Sequence, residues 1–111
     1  MAHRADAETR GTFLVELYRP GLDVEVLKQW AARVREAAAA LEDEGRSVRY
    51  VRAAIVPADE SMLCVLEAAD EELVRETYER AGVPFERLSA VIPEAERGWV
   101  AITDESREDK A

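Results

Sequence analysis

Met62-Leu63-Cys64-Val65-Leu66 is apolar without a break, and nothing else in the chain restricts the fold as much. A run this short and this rich in branched side chains reads as a strand. Phe13-Leu14-Val15 repeats the pattern inside residues 12–19, and residues 47–56 are nearly continuous through Val48, Val51, Ala53, Ala54, Ile55 and Val56. A strand with helices on one face and water on the other alternates apolar and polar residues. These do not alternate, so the chain has to cover both faces of its sheet.

The helical material is limited to two segments. Asp23 is placed as an N-cap, with Leu22 and Leu27 spaced for a hydrophobic staple. Leu27, Trp30, Val34, Ala37, Ala38 and Leu41 then recur at steps of three and four, which predicts one amphipathic helix ending at Gly45. Glu42, Asp43 and Glu44 lie at its C-terminal end, where the dipole disfavours them. Asp70 caps a second helix with Leu73, Val74, Tyr78 and Ala81 facing inward, stopped by Gly82 and Pro84. Trp30 and Tyr78 read as core. Residues 47–56 and 62–67 are joined by Pro57-Ala58-Asp59-Glu60-Ser61, short enough to make an antiparallel hairpin. Residues 87–92 supply a last strand.

The order is therefore β-α-β-β-α-β, an α+β ferredoxin-like fold with a four-stranded antiparallel sheet and two helices on one face. One domain over residues 12–103 uses the material available in 111 residues. Residues 1–11 read as a flexible lead-in, residues 98–103 as a further short apolar stretch, and residues 104–111 as a charged tail. Two helices on one face leave the other uncovered, and monomers rarely expose so large an apolar patch. A second copy, sheet against sheet in a twofold homodimer, is the expected cover; a fold-back of Val100 and its neighbours is the alternative.

Charge and composition narrow the function. The net charge of −9 repels phosphate backbones and anionic headgroups, so no nucleic acid and no membrane partner is expected. Neither a membrane span nor a signal-peptide core is visible, and Cys64 has no second cysteine to pair with; the expected location is cytoplasmic. His3 is the one histidine and lies in the lead-in, which argues against histidine triads and histidine-rich metal sites. Cys64, mid-strand among apolar neighbours, reads as a core thiol before a reactive one.

Several short motifs together resemble a family. They are Val15-Glu16 in the first strand, Pro20-Gly21 after it, Tyr50-Val51 in the second strand and Cys64-Val65 in the third. Ala69-Asp70-Glu71-Glu72, Val74-Arg75-Glu76 and Gly82-Val83-Pro84 around the second helix complete the set. The stretch 14–92 is similar to small bacterial domains of unknown function grouped with a nickel-binding protein of actinomycetes. That resemblance implies a ferredoxin-like fold that pairs into a dimeric α/β barrel, and it raises nickel as a cofactor. It also implies histidines at the positions of Arg52 and Thr77. Arginine stays protonated and cannot ligate a cation as imidazole does, so the expectation here is no metal site and no cofactor.

The residues that break the apolar pattern from inside are the candidate ligand-binding set: Glu16, Tyr18, Tyr50, Arg52 and Cys64. Glu16 with Tyr18, and Tyr50 with Arg52, are two apart and are expected to share a face. An even hairpin register would set Cys64 opposite Ala54 and let Glu16 and Arg52 meet. The bland outcome is a structural ion pair; the sharper one is a pocket where Arg52 grips an anion between aromatic walls. Two functions follow. One is a non-catalytic small-ligand or metal-binding accessory protein. The other is a cofactor-independent oxygenase or isomerase for a small aromatic or polyketide-like substrate, with Glu16, Tyr18 and Tyr50 as its available acids and bases.

Overall fold

The computed structural model describes residues 10–94. Four strands, β1 (Gly11–Tyr18), β2 (Val48–Val56), β3 (Ser61–Ala68) and β4 (Arg87–Val91), and two helices, α1 (Val24–Asp43) and α2 (Glu71–Ala81), follow the expected order. The sheet runs β2-β3-β1-β4, antiparallel throughout. This is the ferredoxin-like arrangement. Of the lead-in read over residues 1–11 only Arg10 and Gly11 are described, and Gly11 already opens β1; the rest of that reading, and those of residues 98–103 and 104–111, lie outside the described residues.

The caps form where the sequence placed them. Asp23 accepts from the Val26 amide at 3.0 Å and Asp70 from the Leu73 amide at 2.9 Å. Gly45, at φ 90°, ends α1 in a Schellman motif: the Arg46 amide returns to the Leu41 carbonyl and the Gly45 amide to that of Glu42. The acidic end of α1 is answered from α2. Arg80 donates to Glu44 at 2.7 Å, and Arg46 makes a two-pronged bond to Glu76 at 2.9 and 3.0 Å. The unfavourable dipole placement of Glu44 is thus offset by a cation from the neighbouring helix.

The core lies between helices and sheet. Phe13, Val15 and Leu17 from β1 and Met62, Cys64 and Leu66 from β3 pack under Leu27, Val34, Leu41, Leu73, Val74 and Tyr78. Each such aliphatic side chain contributes roughly 1.5–3 kcal/mol by leaving water. Trp30 packs half-buried against this core.

Two register expectations are corrected. Cys64 is opposite Ala53, not Ala54, so the hairpin register is odd. The ladder also slips between Tyr50 and Arg52, where Val51 forms a β-bulge. The extra residue turns Tyr50 toward the helices while Arg52 stays on the other face, so the two do not share a side.

Candidate functional site

The face of the sheet away from the helices is built from the alternate residues of each strand. Its rows follow the register: Arg49, Glu67, Thr12 and Val91; then Arg52, Val65, Leu14 and Ser89; then Ala54, Leu63, Glu16 and Arg87; then Val56, Ser61 and Tyr18. The middle is apolar, with Leu14, Leu63 and Val65 on the two inner strands. The rim is charged. Arg10 and Arg49 both lean on Glu67, at 3.5 and 4.0 Å, and Arg87 reaches Glu16 at 3.7 Å.

Of the five candidates, Glu16, Tyr18 and Arg52 lie on this open face and Tyr50 and Cys64 beneath the helices. Glu16 and Arg52 do not form the anticipated pair. β3 runs between their strands, and the ionic partner of Glu16 is Arg87. No sequence signal marks Arg49, Glu67 and Arg87, because each sits at or near a strand end, where a charge is ordinary. What gives them weight is the register, which brings them to one face.

A second group gathers under the helices. Cys64, 1% exposed, neighbours the hydroxyl of Tyr78, which is itself buried without a hydrogen-bond partner. Contact with the thiol falls short of bonding geometry, so the two groups meet as weakly polar neighbours. Burial pushes the Cys64 thiol up, and burial likewise raises the Tyr78 and Tyr50 phenols. All three stay protonated at neutral pH, which suits packing and leaves none of them a base. Arg35 stands 6.0 Å from the Tyr50 ring centroid and closes that side. Beyond Tyr78, a shallow groove runs past Val83 and Pro84 to Phe85, whose ring is edge-on to Tyr78 at 5.4 Å and carries the Arg75 guanidinium at 5.7 Å.

Residues 13–91, which hold both helices and all but the first two residues of the strands, match the family described as nickel responsive protein SCO4226-like. The chain belongs to that family. It is also similar to the crystal structure of SCO4226 from Streptomyces coelicolor A3(2), at 25% identity, covering 76% of this chain and 99% of that one, with a TM-score of 0.59. No curated protein matches the chain.

The SCO4226-like family description raises nickel, and the donor set here can be tested against it. Nickel and its neighbours take imidazole, thiolate or several carboxylates converging on one point. Among the described residues no three His, Cys, Asp or Glu side chains converge in that way. Cys64 is held as a buried thiol, and Glu16 and Glu67 are each engaged by arginines. The positions of Arg52 and Thr77 lie on opposite sides of the sheet. Thr77 is fully buried on the inward face of α2, where its hydroxyl donates to the Leu73 carbonyl one turn back at 2.7 Å. The described residues do not fit a nickel site. No helix among them is long and apolar enough to cross a membrane.

Proposed function

We propose that this chain is a non-catalytic small-ligand-binding or accessory protein of the cytoplasm, working as a homodimer whose two sheets face each other in a dimeric α/β barrel. The observation that carries this reading is the apolar centre of the open face, Leu14, Leu63 and Val65, framed by Ala54, Val56 and Val91. Both helices are committed to the other side, so a second copy is the cover available to every molecule of the protein. An apolar middle with a charged rim is also how protein interfaces are generally laid out. The non-catalytic half of the reading is supported by the phenols and thiol under the helices, which are all held protonated.

Light scattering coupled to gel filtration tests the assembly. Wild-type protein is expected at twice the 12.4 kDa of one chain. Leu63→Lys, which puts a charge in the middle of the face, is expected to yield folded monomer. A wild-type mass of one chain contradicts the proposal.

A further inference from the structure

The two edges of the sheet are defended differently. An edge strand offers free amides and carbonyls to any other strand, and proteins blunt it with bulges, charges or a cover. β2 has its bulge at Val51 and carries Arg49 and Arg52. β4 has neither protection. Its ladder with β1 is regular, and from Leu88 to Ile92 it bears no charge. Among the described residues nothing pairs with its outer side.

The helix layer also stops short of β4. Leu88 and Ala90 are opposite Val15 and Phe13, which belong to the core, so they face the helices. Val15 and Phe13 are buried, whereas Leu88 is half-buried and Ala90 is exposed. Ile92, just past the strand, is 95% exposed, more than any other large apolar side chain described. An uncharged free edge thus runs beside an apolar strip that neither helix covers.

A cover is within reach in the same chain. The described residues stop at Glu94, next to the open end of the strip. Beyond it Trp99-Val100-Ala101-Ile102-Thr103 is rich in β-branched and aromatic residues, and Trp99 to Ile102 are apolar on both alternations, as β3 is. Pro93 and Gly98 punctuate residues 92–97, a connection of ordinary length between neighbouring strands. The segment lies past residue 91, where the family match ends. Being tethered to this edge, it has an effective concentration there that no separate partner matches.

From this we infer that residues 98–103 return antiparallel along β4 of their own chain as a fifth strand, with Trp99 on the helix side beside Ala90. Successive residues then alternate in step with β4, so that Ala101 falls beside Leu88, and Val100 beside Ser89 on the open face. The inference does not depend on the homodimer.

Hydrogen exchange on the wild-type chain tests it without any substitution. The amides of β4 that point away from β1 are expected to be protected by at least about tenfold, and to lose that protection in Val100→Pro, which removes a strand amide. Trp30→Phe leaves Trp99 as the one tryptophan. Its emission is expected to be blue-shifted in the folded chain, and its quenching by acrylamide several-fold weaker than after unfolding. Ala90→Glu, which a bare edge would tolerate, is expected to restore both to their unfolded values and to lower Tm by several degrees. Outer amides of β4 that exchange freely overturn the inference, and so does a Trp99 as accessible in the folded chain as in the unfolded one. A buried Trp99 beside unprotected outer amides also overturns it, because the ring would then be packed elsewhere. Repeating the quenching in Leu63→Lys separates this inference from the dimer. Trp99 protected in a monomer supports pairing within one chain, and protection that disappears with the dimer or on dilution assigns the segment to the second copy and overturns it.

Discussion

Tyr78 shows how a single residue is held in this fold. Its ring fills core space between α2 and the sheet, but its hydroxyl is buried with no hydrogen-bond partner among the described residues and with the thiol of Cys64 nearby. A buried, unsatisfied polar group costs on the order of 1–3 kcal/mol. Tyr78→Phe is therefore expected to stabilise the protein by about 1 kcal/mol, seen as a rise of several degrees in Tm. A fall of that size would mean that the hydroxyl is bonded after all. Cys64 behaves as its surroundings dictate: buried and pushed toward its protonated form, it is expected to resist a thiol reagent at neutral pH until the protein is unfolded. Thiol titration with and without denaturant checks this, and rapid labelling of native protein contradicts it. The inert thiol was legible in the sequence, because Cys64 sits within five apolar residues. Its unsatisfied neighbour was not, because a tyrosine at an inward helical position gives no sign of where its hydroxyl ends.

At the scale of elements, the two helices are joined at their exposed ends by Glu44 with Arg80 and Arg46 with Glu76. The hydrogen bond from Arg80 holds the Glu44 carboxyl below its ordinary range, and that from Arg46 does the same for Glu76. A depressed folded-state value means stability present above the unfolded carboxylate pKa, about 4.3, and lost as pH falls through the folded one. The Tm gap between wild type and Glu44→Gln/Glu76→Gln is thus expected to be positive at neutral pH and to close in acid. As these are surface pairs, about 1 M salt is expected to narrow it too. A gap independent of both pH and salt would assign the loss to packing. Strands, helices and caps could be read from the sequence because Asp23, Gly45, Asp70 and Gly82 mark ends by their own chemistry. The bulge could not. β2 is apolar at Val51 and from Ala53 to Val56, so its alternation has no clear phase and one extra residue leaves no trace. For that reason Tyr50 is expected to share a face with Arg52 and does not, and nothing in the sequence marks Arg49.

For the whole molecule, the decisive feature is the one visible from the start: strands apolar on both sides and only two helices to cover them. The sequence identified Glu16 and Arg52 as charges set among apolar neighbours, and both do lie on the open face, separated by β3. What it could not supply was the strand order that parts them and gives Glu16 to Arg87. The most direct test of the account asks which surface meets the second copy. In a sample mixed from isotope-labelled and unlabelled chains, filtered nuclear Overhauser effects report contacts between protomers only. The account predicts them from the methyl groups of Leu14, Leu63 and Val65, and none from Leu27 or Leu73 in the helix layer. Contacts from any other surface, or none at protein concentrations of about 1 mM, which would capture even a weak dimer, would contradict it.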